Sequence, residues 1–344
     1  MSATAPPSAS TMLAAVLRDP GGPEPLRLER VPIPQPGPGE VLVAVGALGL
    51  NNAEILQCRG MMPAPPGGIP GLECAGTVVG AGATGWRRGD RVAALTRAGA
   101  YAEYVVAPAG ACMKIPDGVE IRTAAALLEA AATAWWNLVH RGRLQPGERV
   151  LIHGAAGGVG SLAVQLARAL GATVIGTARG PVKTALCRQL GCHHVIDYGS
   201  TDVYAALREL VPGGVDLILD NQGAGPVAAN IAALAPLGRL VIVGVASGTD
   251  AAVDLGALMA GAVEISSSSL GRLDDEMRTA ICREIETEVL PEVVAGRLRP
   301  VLDGSFVFDE IAAAQRRFAD PDRVGKVVVT LPGYISKIDA AQQN

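Results

Sequence analysis

From Arg149 onward the chain alternates apolar runs, VLIH, TVIGT, HVIDY, VDLILD and GRLVIVG, with segments of helical period, SLAVQLARAL, VKTALCRQL and VAANIAALA. Strands this continuously apolar, joined by helical crossovers, cannot pair through short hairpins. They must lie parallel, with helices covering both faces of the sheet. The fold class is therefore α/β, with a doubly wound parallel sheet. Before Ala134 the texture differs: EVLVAVGALGL, CAGTVVGAG, DRVAAL and AYAEYVVAP are short β-branched runs broken by Gly and Pro, which describes a mostly β domain. After Pro300 a strand (SFVF), a helix (DEIAAAQRRF) and a strand (GKVVVTL) return to the first texture. The expected organisation is a β domain over 12–134, an inserted parallel-sheet domain over 135–300 and a return to the β domain over 301–332. Residues 1–11 and 333–344 are expected to be loose tails.

A length of 344 residues suits two domains. Hydrophobic residues make up 49% and aromatics only 3%, so the cores must be aliphatic. A net charge of -4 with no Lys/Arg run argues against nucleic acid as a partner and leaves small-molecule chemistry. The N-terminus lacks a basic n-region, and no apolar run reaches the roughly 18 residues of a membrane span. A cytoplasmic protein without membrane attachment is expected. The six cysteines show no CxxC pairing and read as reduced thiols. No histidine stands in a metal-ligand spacing, and the pair His193-His194 before VIDY reads as structural.

The stretch RVLIHGAAGGVGSLAVQLARAL places a glycine-rich turn between a strand and a helix. Glycines there let the backbone approach a pyrophosphate, whose charge the open helix N-terminus favours. Ala156, Gly157, Gly158 and Val159 are the candidate phosphate contacts, with Ala155 where the usual motif has its first glycine. A NAD-preferring site carries Asp or Glu about 20 residues on, to hold the ribose 2'-OH; this chain has Thr177-Ala178-Arg179-Gly180. Arg179, Lys183 and Tyr198 instead suit a 2'-phosphate, so NADPH is the expected cofactor.

The segments PGPGEVLV, ALGLNNAEILQCRG, IPGLECAGTV, GDRVAAL, AYAEYVV, AAGGVG, DNQGA, DLGAL and VGKVVV together resemble the zinc-independent quinone oxidoreductases of the medium-chain dehydrogenase/reductases, from about Met12 to Leu331. The resemblance implies a GroES-like β domain around an inserted Rossmann domain, with the active site in the cleft between them. It also implies a homodimer, formed by pairing a Rossmann edge strand; Val263 to Ser269 is the candidate strand. Zinc-dependent relatives carry a Cys in the segment Asn51-Asn52-Ala53-Glu54 and Gly-His-Glu where this chain has Gly71-Leu72-Glu73, so no metal is expected. Without a Lewis acid the substrate must already be electrophilic, a quinone or an α,β-unsaturated carbonyl.

By the same resemblance, Thr133, Asn221, Val243, Gly244, Leu270 and Lys326 are expected near the cofactor. Many relatives place a Tyr shortly after the Asn-x-Ala-Asp segment, and this chain has none there. Leu56, Cys58, Met61 and Met62 occupy that stretch and are assigned to the substrate pocket. Asn51 is the best-matched catalytic candidate. Two readings of it stand: an amide donor to substrate, or a cap on the helix beginning near Ala53. Protonation is then expected from solvent. The leading function is an NADPH-dependent quinone or enone reductase. The alternatives are an enoyl-thioester or biosynthetic tailoring reductase, and a nucleotide-binding protein without turnover.

Overall fold

The computed structural model describes residues 10–334. Of the expected tails, residues 1–9 and 335–344 lie outside the described residues. The rest of those tails is tied down. Thr11 opens the first strand, and the half-buried Tyr334 donates or accepts a 2.7 Å hydrogen bond with Thr77. The Tyr334 ring also lies over Gly46, where an added methyl would meet it at 2.9 Å.

The chain divides into two compact units, one formed by the residues before Ala130 together with those after Leu273, the other by Ala130–Leu273. In the first unit, β1 (Thr11–Leu17) and β2 (Leu26–Pro32) form an antiparallel pair. A seven-stranded sheet follows, built from β3 (Glu40–Gly49), β4 (Glu73–Gly80), β5 (Arg91–Leu95), β6 (Tyr104–Pro108) and β7 (Cys112–Lys114), with β14 (Leu302–Val307) and β15 (Lys326–Thr330) from the far end of the chain. β3 is its spine. Its first half pairs with β6, its last residues pair with β15, and β4 runs along its other edge. Val43, Leu48, Val78, Val92, Val327 and Val329 fill the core between strands, as alternating β-branched runs require.

The helices of this unit are α1 (Asn52–Cys58), α2 (Ile121–Ala125), α9 (Asp275–Glu284), α10 (Leu290–Val294) and α11 (Ile311–Ala319). The return to the β unit thus begins at Asp274, not after Pro300. α9 packs on the turn Ala109–Ala111, where a methyl added to Gly110 would stand 2.3 Å from Thr279 Oγ1. Ile281 and Cys282 are buried on that helix. A β-like texture marks the return in the sequence, and helices do not carry it.

The second unit holds β8 (Arg149–Ile152), β9 (Thr173–Ala178), β10 (His194–Asp197), β11 (Val215–Asp220), β12 (Leu234–Ile242) and β13 (Glu264–Ser267). All pair in parallel, in the order β10-β9-β8-β11-β12-β13. α4 (Gly158–Ala169), α5 (Gly180–Leu190), α6 (Val203–Leu210), α7 (Val227–Ala233) and α8 (Leu255–Gly261) connect them, and α3 (Leu128–Trp135) carries the chain from one unit into the other. The core is aliphatic, with Leu151, Ile175, Ile218 and Leu240 fully buried. Strand order reverses between β8 and β11. In open α/β sheets that reversal leaves a crevice at the carboxyl ends of the two strands, where ligands bind. No helix among the described residues is long and apolar enough to cross a membrane.

Candidate functional site

At the carboxyl end of β8 the chain turns through His153 and Gly154 into α4. The Ala155 N–H donates to Thr177 O at 3.0 Å and fastens the turn to β9. A methyl on Gly160 would stand 2.2 Å from Gly154 O, so only glycine lets the first helical turn press against the strand end. Ala155 is fully buried, and its methyl would lie 2.9 Å from any Cβ on Gly176. A small apolar residue at that position is thus part of the packing. Gly157 is the N-cap, and no side chain caps the helix. The N–H groups of Gly158 and Val159 have no intrahelical acceptor and add to the positive end of the helix dipole. Donor set and space fit a pyrophosphate.

Asn221, just past β11, stands opposite this turn: a methyl on Gly154 would meet its Nδ2 at 2.4 Å. Its Oδ1 accepts from Gln222 Nε2 at 2.7 Å. The Val243 N–H donates to Asp220 O at 2.7 Å, and a methyl on Gly244 would reach Asn221 O at 2.9 Å. The ends of β8, β11 and β12 therefore converge on Asn221. His153, beneath them, is bonded to Thr177 Oγ1 at 3.2 Å and Asn230 Oδ1 at 2.8 Å, and burial lowers its pKa. His193 Nδ1 accepts the Val174 N–H at 2.9 Å, a structural contact.

Past β9, Arg179 is exposed at the N-cap of α5, Lys183 is half-buried one turn on, and Tyr198 is 49% exposed after β10. Asp197 at the end of β10 was not singled out from the sequence. Its Oδ1 accepts the N–H groups of Gly180 and Gly199, both at 2.9 Å, and these bonds hold its carboxyl below the usual range. The nearest carboxylate is thus turned onto backbone. Thr133 lies inside α3 rather than at a cap, and its carbonyl accepts from Asn137 Nδ2 at 2.7 Å. Asn137 Oδ1 in turn accepts from Ser268 Oγ at 2.6 Å, close in sequence to Leu270. Asn137, another residue the sequence reading missed, links Thr133 to Ser268.

In the β unit, Asn51 is buried at the N-cap of α1. Lys326 Nζ donates to its Oδ1 and to Glu73 Oε1, each at 2.5 Å, and to Leu50 O at 2.9 Å. All three ammonium hydrogens are thereby used inside the unit. Gly49 permits the approach, because a methyl there would meet Glu73 Oε1 at 2.4 Å. Glu73 Oε2 accepts the Glu129 N–H at 3.0 Å. Asn51 Nδ2 faces Gly49 O, Glu54 Oε1 and Glu73 Oε1 at 3.3 to 3.4 Å, long contacts that hold it loosely.

Glu54 is also fully buried, accepting the N–H groups of Asn51 at 2.9 Å and Leu72 at 3.0 Å. Cys58 is buried too, its thiol accepting from Gln315 Nε2 at 3.1 Å. Leu56 is half-buried, while Met61 is 70% and Met62 39% exposed on the turn after α1. No group of three His, Cys, Asp or Glu that could hold a metal ion occurs among the described residues.

Burial pushes the Glu54 carboxyl up to about 8 from an ordinary 4.5. The folded state therefore holds a proton that the unfolded chain releases. The stabilisation is complete below about pH 4.5 and is lost as pH rises through about 8. Urea unfolding from pH 5 to 8 should show wild-type stability falling relative to Glu54→Gln; parallel profiles would show that Glu54 carries no such proton.

Residues 37–117 match the family model of the alcohol dehydrogenase GroES-like domain, and residues 158–286 that of the zinc-binding dehydrogenases. The chain is 35% identical over 316 residues to a quinone oxidoreductase of Pseudomonas aeruginosa, covering 90% of this chain and 96% of that one. It is 34% identical over 340 residues to the human synaptic vesicle membrane protein VAT-1 homolog, covering 91% and 84%. Among solved structures, the quinone oxidoreductase of Thermus thermophilus, described together with its NADPH complex, superposes with a TM-score of 0.80 at 35% identity over 93% of this chain and 100% of that one. The chain belongs to the quinone oxidoreductase family of the medium-chain dehydrogenase/reductases and is an oxidoreductase of GroES-like and Rossmann domains.

Proposed function

We propose that this oxidoreductase uses NADPH to reduce a quinone or an α,β-unsaturated carbonyl, without a metal. One observation carries the reading: the uncapped helix end at Gly157-Gly158 is followed, at the end of the next strand, by an exposed arginine, with the nearby Asp197 committed to backbone. Ala156, Gly157, Gly158 and Val159 hold the pyrophosphate, and Arg179, Lys183 and Tyr198 the 2'-phosphate. Asn221, Val243 and Gly244 floor the crevice, with Thr133 and Leu270 toward the nicotinamide. When bound, the dinucleotide supplies the hydride.

The donor set of the β unit supports the metal-free reading. Asn51 and Leu72 stand where zinc relatives place ligands, and the Lys326 ammonium is the cation that Glu73 and Asn51 already hold. An acceptor reduced here must be activated by its own conjugation. Asn51 Nδ2, held in place by Lys326 on the amide oxygen and by long contacts of its own, is the donor this reading offers to an oxygen that gains charge as hydride adds. Leu56, Met61 and Met62 supply apolar surface beside it. Residues 51–62 hold no tyrosine and Tyr101 is buried in the β core, and on this reading the proton comes from solvent. Six buried free cysteines suit a reducing cytoplasm.

We also propose that two copies pair through β13, which among the described residues is bonded only to β12. Ile265 on that strand, with Leu255 and Met259 on α8 at 69% and 82% exposure, forms an apolar edge that a second copy would cover.

Three measurements check these proposals. In fluorescence titrations Arg179→Ala should weaken NADPH by about tenfold to a hundredfold and leave NADH within about threefold; equal losses for both would remove the 2'-phosphate role. Oxidation of NADPH, followed across quinones, enones and enoyl thioesters, should show turnover of the first two classes. Turnover confined to thioesters would make the chain an enoyl-thioester reductase, and binding without any turnover a nucleotide-binding protein. In the same assay Asn51→Ala should lower kcat/KM at least about tenfold with NADPH affinity unchanged, and an undiminished value takes Asn51 out of the mechanism. Light scattering should give twice the 35.1 kDa chain mass for the wild type and the single mass for Ile265→Lys; a wild-type monomer ends the pairing proposal.

A further inference from the structure

α9 of the β unit carries a buried guanidinium. Arg278 is only 4% exposed, and its buried Nε has no hydrogen-bond partner among the described residues. A guanidinium offers five N–H donors and stays charged, so taking it out of water without partners is costly. Buried groups of this kind call for an explanation.

The carboxylates close to it on the same helix do not provide one. Asp275, three residues earlier and on the same helical face, is where a structural arginine would find its partner. Its Oδ1 is instead bonded to Arg97 Nη2 at 2.8 Å. Asp274 Oδ1 accepts the Met277 N–H at 2.8 Å as the helix cap. Glu276 is exposed, and Glu286 Oε1 takes the Lys114 N–H at 3.4 Å. Arg97 moreover brings a second positive charge near enough that, with burial, it lowers the Arg278 pKa. One aspartate thus stands among two arginines, and the more buried of the two is left unpaired.

We propose that Arg278 anchors an oxyanion site in the β unit, where the carboxylate or phosphate group of a small molecule is gripped by the guanidinium fork, with Arg97 adding to the positive field. The planar fork matches either group with two parallel hydrogen bonds. An incoming anion supplies the acceptors that the fold withholds. This site goes beyond the reductase reading.

The test needs no turnover. Full-length protein saturated with NADPH is titrated at constant ionic strength, by calorimetry, with acetate, inorganic phosphate and uncharged methyl acetate. Saturable binding of acetate or phosphate with a Kd on the order of 1 mM is expected, and none of methyl acetate. The anion that binds more tightly identifies the group. Arg278→Met, which keeps the apolar stem, should weaken binding at least about tenfold. Should that variant not fold, Arg278→Lys decides, because a lone ammonium cannot make the fork and should bind several-fold more weakly. Saturable binding of neither anion, an unchanged Kd in the variants, or binding seen only when NADPH is left out would each overturn the proposal. If the protein does not take NADPH, the titration is run without it, and the Arg278 variants alone decide.

Discussion

The β unit is organised around the Lys326 ammonium. It draws together the end of β3, the start of α1, the first residue of β4 and the first residue of β15, four segments drawn from both ends of the chain. Breaking one partner of such a pair leaves an uncompensated buried charge, a cost of about 3–5 kcal/mol. Two fully buried glutamates surround one ammonium; Glu73 is the one in contact, and burial keeps Glu54 protonated up to about pH 8.

The Rossmann unit rests on a different constraint, the reversal of strand order between β8 and β11. Reversal alone makes a crevice, and three local choices make it a dinucleotide seat. Gly160 lets α4 press against the strand end, Gly157 leaves the helix uncapped, and Asp197 turns inward to Gly180 and Gly199. A carboxylate bonded to two backbone N–H groups has little reason to reach for a ribose hydroxyl.

Much of this was legible in the sequence. Uninterrupted apolar runs such as VDLILD force parallel pairing, and HGAAGGVG between a strand and a helix marks the turn, because both signals are local. What escaped was long-range. GKVVV reads as a strand start with a lysine, and nothing near Lys326 in sequence says that Asn51 and Glu73 will surround it. Cys58 sits in a stretch that looks like pocket lining, yet the burial of a short helix depends on α11, which supplies Gln315 from far along the chain. Asn137 and Asp197 were missed for the same reason, since their partners lie in other elements. The return to the β unit was placed too late because α9 packs by helix periodicity while the sign sought was a strand.

Residues 51–62 show how the two kinds of information combine. The first half, Asn51 to Cys58, is held by the Lys326 cluster and by Gln315, so it is fixed before any ligand arrives. The second half is not: Met61 and Met62 are exposed, their N–H groups bonded back to Leu56 O at 2.9 and 3.2 Å. A rigid helix start carrying an amide, followed by an unbranched thioether surface, can fit acceptors of differing shape. A tyrosine in that turn would have imposed a fixed donor. Without it, the turn presents an apolar surface with no directed donor of its own.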